Sequence, residues 1–151
     1  LGAANVIDAV VRQDFLEVGS AQVPATLDKT KFKSGDCVKI VFRPEDVVLN
    51  RGDFMRPGYT RIASAVIEEI AFVGAYERLR LQMEAGAEEC KTDETPYYLT
   101  TETPERHSTK SIIATRPKPE ASATRLQAGE RVTVALTSFT VLPPPVGKGA
   151  N

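Results

Sequence analysis

The chain has 151 residues, a mass of 16.4 kDa, and 19 Lys and Arg against 20 Asp and Glu, a formal net charge of −1. Apolar residues are 42% and charged residues 26%, a globular composition that excludes a disordered or fibrous chain. The near-neutral balance weighs against a nucleic-acid or anionic-membrane binder working by bulk electrostatics.

The start, Leu1-Gly2-Ala3-Ala4-Asn5, has neither an initiator Met nor a basic segment before an apolar stretch. It is not a signal peptide, and it reads as a cut inside a longer chain. Gly19, in Glu17-Val18-Gly19-Ser20, is expected to end a short first strand. Ser34-Gly35-Asp36 is a turn signal before a strand in which Val38, Ile40 and Phe42 alternate with Cys37, Lys39 and Arg43. Asn50-Arg51-Gly52-Asp53 and Arg56-Pro57-Gly58 mark a reversal.

Ala65–Gly74 fits helix or strand by periodicity alone. The alternation that follows at once, Leu79, Leu81 and Met83 against Arg78, Arg80 and Gln82, favours a hairpin with a bend or bulge at Gly74. From Glu88 the chain turns polar and rich in Thr, Glu and Pro, which predicts an extended hairpin insertion over 88–110, with a strand at Tyr97-Tyr98-Leu99. Ser111-Ile112-Ile113-Ala114 reads as a strand and Pro119–Leu126 as holding one helical turn. Ala128-Gly129-Glu130 is the turn before a strand in which Val132, Val134 and Leu136 alternate with Arg131, Thr133 and Thr137. The Pro/Gly-rich end has nothing apolar to bury, so residues 147–151 are expected to form a disordered tail. No apolar run approaches the roughly 20 residues that span a bilayer.

An internal repeat runs through this pattern. Phe32–Ile40 aligns with Leu126–Val134, Gly35 falling on Gly129 at an offset of 94, and the pair Val47-Val48 recurs as Val141-Leu142. Phe15-Leu16-Glu17-Val18-Gly19 similarly echoes Ile70-Ala71-Phe72-Val73-Gly74. The reading is two related β units, residues 1–62 and 63–146.

Motifs for chemistry are sparse. There is no phosphate-cradling Gly-rich loop of either type. His107 stands between Arg106 and Ser108 without a nucleophile partner and reads as a solvated side chain. Cys37 and Cys90 lack zinc-ligand spacing and read as reduced thiols, Cys37 a small strand residue and Cys90 exposed. Glu84, Glu88, Glu89, Asp93 and Glu94 lack the calcium-loop pattern and read as an acidic solvated face. Arg106, Lys110, Arg116, Lys118 and Arg125 form a basic stretch without aromatic platforms, so it reads as a solvated or interface-facing loop. Phe42-Arg43-Pro44-Glu45-Asp46-Val47 reads as a structural corner, with Arg43 pairing to Glu45 or a neighbour.

Phe42–Leu49, with Arg43, Pro44, Glu45 and Asp46 at its centre, resembles the signature of the TOBE domain, the C-terminal regulatory region of ATP-binding subunits of bacterial ABC importers. Ala65–Glu68, Phe72–Ala75 around Gly74, Arg78–Leu81 and the closing Leu126–Leu136 around Gly129 follow in the same order. The resemblance implies an all-β barrel of the oligonucleotide-binding (TOBE/MOP-like) type and a non-catalytic regulatory and dimerising role. ATP and magnesium would belong to the parent subunit and not to this segment. The implied partners are a second copy, the upstream ATPase core and, through it, membrane permease subunits, with no nucleic acid. The implied location is cytoplasmic, at the inner face of the plasma membrane. An oxyanion-binding branch resembles Ser111–Thr115 through the closing strand, but its Lys-Ala-Ser string is replaced here by Leu136-Thr137-Ser138. Thr115, Thr137 and Ser138 are the candidate hydroxyl donors to a molybdate-, tungstate- or sulfate-type anion.

Overall fold

A computed structural model describes residues 4–19, 21–52, 57–84 and 111–144. In chain order its elements are β1 (Asn5–Val11), β2 (Phe15–Val18), β3 (Ala21–Pro24), β4 (Cys37–Phe42), a 3-10 turn at Pro44–Asp46, β5 (Val47–Asn50), β6 (Thr60–Val73), β7 (Tyr76–Met83), β8 (Ser111–Pro117), α1 (Lys118–Ala123), β9 (Arg131–Leu136) and β10 (Thr140–Leu142). The strands form two five-stranded sheets, ordered β10-β4-β1-β2-β3 and β5-β9-β6-β7-β8. Every pairing is antiparallel.

The sheets are not the two halves of the chain. β5 crosses over to pair with β9, and β10 returns to pair with β4. Each half donates its last strand to the other. Under this correspondence β1 to β5 match β6 to β10, an internal two-fold relation. The hydrogen bonds repeat as well. Gly35 donates to the Val11 carbonyl at 2.7 Å and Val11 donates to the Asp36 carbonyl at 2.8 Å. Gly129 donates to the Ile67 carbonyl at 2.6 Å and Ile67 donates to the Glu130 carbonyl at 2.9 Å. In each copy the acidic side chain accepts from the backbone three residues back, Lys33 N–H to Asp36 at 2.9 Å and Gln127 N–H to Glu130 at 3.0 Å. Gly35 and Gly129 share a φ, +96° and +91°, where a Cβ is strained. The expected echo of Phe15–Gly19 in Ile70–Gly74 does not hold. Gly19 closes the β2–β3 turn, whereas Gly74 closes β6–β7, whose counterpart is the β1–β2 turn. Gly19 therefore ends the second strand, because Asn5–Val11 already forms the first.

The period-2 pattern sorts the side chains as expected in β4 and β7. Val38, Ile40 and Phe42 are buried, as are Leu79, Leu81 and Met83, while Arg78 and Arg80 are exposed. They join Ile7, Leu16, Val23, Ile62, Ile67, Ile112, Val132 and Leu136 in one core shared by both sheets. Such side chains each contribute roughly 1.5–3 kcal/mol when fully buried.

Three local expectations are corrected. β9 is buried on both faces, including Thr133 and Ala135, because it is the second strand of its sheet, with Asn50 and Ser64 beside Thr133. β6 is one long strand whose irregularities fall between Arg61 and Ala63 and between Ile67 and Glu69, not at Gly74. The hairpin bend does fall at Gly74 as expected, in the first position of a two-residue turn with φ +62°, which the right-handed twist of paired strands favours. Cys37 is disulfide-bonded rather than reduced, since distance along a sequence does not set distance in space.

Candidate functional site

The exchanged strands require two crossovers, and these meet. After Phe42 the chain leaves its sheet through Arg43 and the 3-10 turn. Pro44 opens the turn, its fixed φ suiting a first helical position. Arg43 N–H donates to the Asp46 carboxylate at 3.1 Å, and Asp46 N–H donates to the Arg43 carbonyl at 2.9 Å, so the turn closes on itself. The Arg43 guanidinium reaches Glu45 at 3.9 Å, both side chains well exposed, an arrangement worth little stability. The second crossover, at the equivalent place, begins with Thr137. Its N–H donates to the Asp46 carbonyl at 3.0 Å, and its hydroxyl lies 3.5 Å from that carbonyl and from the Asp46 carboxylate. The Arg-Pro-Glu-Asp segment is thus the joint at which the two halves are fastened.

This geometry bears on anion binding. Thr137 and Ser138 are exposed, but Thr137 stands beside the Asp46 carboxylate. An oxyanion held by the Thr137 hydroxyl would meet a like charge. Thr115 lies elsewhere, in the middle of β8 opposite Arg78. Among the described residues no side-chain hydrogen bond ties Thr115 or Ser138 to the junction. Gly74 and Gly129 are turn positions away from it, at the β6–β7 hairpin and before β9.

Two polar arrangements escaped the sequence reading. Arg116 and Glu77 form a buried ion pair at 2.7 Å, their side chains 1% and 5% exposed, and Arg116 also donates to the Thr124 carbonyl at 2.8 Å. Arg116 is therefore not part of a solvated basic loop. The signal was present, since Glu77 is in phase with Leu79 and Leu81, and Arg116 with Ile112 and Ala114. Two opposite charges fell on core-facing positions. Second, the buried Asn5 side chain donates to the Ile113 carbonyl at 2.9 Å and accepts from Ile113 N–H at 2.8 Å, pinning β8 to the start of the chain.

Glu130, the acidic residue of the second turn, also takes the Arg51 guanidinium, which donates to the Arg125 carbonyl as well. The hydrogen bond from Arg51, then that from Gln127, holds the Glu130 carboxyl below the usual carboxylate range. Glu84 pairs with Arg131 at 3.0 Å on the surface. Among the described residues no three of His, Cys, Asp and Glu gather as metal ligands. His107, Cys90, Glu88, Glu89, Asp93, Glu94, Arg106 and Lys110 lie outside the described residues, as do the expected 88–110 hairpin and the tail.

No family model matches this sequence, and no curated protein is similar to it. Among solved structures the chain is similar to ModG, described as a cytoplasmic molybdate-binding protein and crystallised with molybdate bound. The TM-score is 0.64 at 12% identity, covering 95% of this chain and 99% of that one. At that identity the likeness carries the fold, an all-β barrel of the oligonucleotide-binding, TOBE/MOP type. No helix among the described residues is long and apolar enough to cross a membrane.

Proposed function

We propose that this chain is a non-catalytic regulatory and self-associating domain of an ABC importer's ATPase subunit, acting in solute uptake. The observation that carries the reading is the Arg43–Asp46 segment. It is the string with the family resemblance, and it occupies the joint between two exchanged β units. A domain of this kind performs no chemistry. It offers a contact between copies that persists while ATP and magnesium, bound by the upstream core, drive that core open and closed. A regulator that prefers one state shifts transport by no more than its differential affinity. The placement is cytoplasmic, against permease subunits at the inner membrane face.

In the full-length subunit, deleting this segment should leave nucleotide binding intact and abolish the dimer seen without nucleotide. A nucleotide-free dimer that survives the deletion overturns the reading.

The second reading is an oxyanion sensor, favoured by the fold shared with ModG, which binds molybdate. Molybdate, tungstate or sulfate at 100 times its Kd would then stabilise the chain by about 2.7 kcal/mol. The carboxylate beside Thr137 argues for no shift in the melting temperature, and a shift lost in Thr137→Val would reinstate this reading.

A further inference from the structure

Asn5 opens β1, and it is 7% exposed although Ala4 before it is exposed. In the first sheet it stands opposite Phe42, the last residue of β4 before Arg43 and the 3-10 turn. Its side chain leaves that sheet for the other one. Nδ2 donates to the Ile113 carbonyl at 2.9 Å, and Oδ1 accepts from the Ile113 N–H at 2.8 Å. Ile113 belongs to β8, the edge strand of the second sheet, which also packs beside the 3-10 turn. One amide group thus makes both bonds that a neighbouring strand would make to Ile113. A donor and an acceptor in one short planar group is the property of an amide side chain.

The position of this amide calls for a reason, since a buried polar side chain is costly unless fully bonded. Asn5, Ile7, Ala9 and Val11 are in phase and all buried, and the polar one falls where the chain enters the fold. The first residues of a domain fray unless tied down. Here the first strand residue is tied to both sheets at once, one residue's pairing away from the Arg43–Asp46 joint.

We propose that Asn5 is a positioning residue that fixes the direction in which the chain enters this domain, and through it the orientation of the upstream core relative to the joint. The proposal rests on the regulatory reading above and deepens it. Units joined by a free connection reorient by default. A connection held at its first strand residue carries the motion of the core to the joint instead of dissipating it in a frayed end.

The test is a distance distribution by spin-label spectroscopy on the full-length subunit, with one label at exposed Gln22 and one in the core. Wild type should give a narrow distribution that shifts with nucleotide. Asn5→Ala and the strand-favouring Asn5→Val, each first checked by thermal melt, should lose it. In both, exchange of the Ile113 amide should accelerate about tenfold through the loss of one hydrogen bond. Gly129→Ala, which strains the fold elsewhere, should keep the narrow distribution, so general loosening does not mimic the effect. A narrow distribution retained in both Asn5 variants overturns the proposal and leaves the regulatory reading standing, and so does a distribution already broad in the wild type. A nucleotide-free dimer that survives deletion of the segment, with the narrow distribution still lost in the Asn5 variants, overturns the regulatory reading and leaves Asn5 in its role.

Discussion

The side chain that best reports on this fold is Glu77. It is buried, carries charge, and is matched only because Arg116 is buried with it. A buried pair of this kind need not stabilise relative to an apolar pair, but removing one partner leaves an uncompensated charge. Glu77→Ala should therefore cost about 3–5 kcal/mol in chemical denaturation, whereas Glu77→Met with Arg116→Met should lie much closer to wild type. Near-equal loss in the two variants would show that the pair is not coupled. Glu130 makes a different prediction, one about pH. Its folded-state carboxyl titrates below its unfolded value, because Arg51 favours the ionised form. The stabilisation is therefore fully present above the unfolded glutamate pKa of about 4.3, and is lost as pH falls through the lower folded value. The stability difference between wild type and Glu130→Gln should accordingly shrink on acidification below about pH 4.3. A difference that is flat with pH, or that widens in acid, contradicts the assignment.

At the level of elements, the repeat is a statement about hydrogen bonds. The turns at Gly35 and Gly129 use the same donors, the same acceptors and the same acidic side-chain cap, and a Cβ at either glycine meets open space. The cost of substitution is then backbone strain alone. Gly35→Ala and Gly129→Ala should each destabilise by roughly 1–2 kcal/mol, and by similar amounts. A large disparity in urea denaturation would mean that the turns are alike only in sequence. These turns were legible in the sequence because Gly followed by Asp or Glu before an alternating strand is local chemistry. The buried faces of β4 and β7 were legible for the same reason, since side-chain period reports burial directly. The outward positions of β9 were not. Thr133 and Ala135 look solvent-facing by alternation, yet a strand enclosed by neighbours on both sides hides small residues on either face. The Phe15–Gly19 echo failed because a glycine after an apolar run marks a turn without saying which turn.

On the scale of the whole molecule, the exchange of β5 and β10 could not be read from a one-dimensional pattern. Both strands follow their parent unit in sequence and pair with the other unit in space. Their exchange gives the most distinctive string, Arg43–Asp46, its place in the fold. It fastens a crossover, and its partner is the opposite crossover at Thr137. The oxyanion candidates divide for the same reason, with Thr137 at the joint and Thr115 out on β8. Among the described residues the large hydrophobic side chains left exposed, Phe72, Val73 and Tyr76, gather at the β6–β7 hairpin. The measurement that tests this account most directly is the solution mass of the 151-residue chain by sedimentation equilibrium across a concentration series. The account predicts a self-consistent dimer of twice 16.4 kDa that dissociates on dilution. A mass of one chain at every concentration would contradict it.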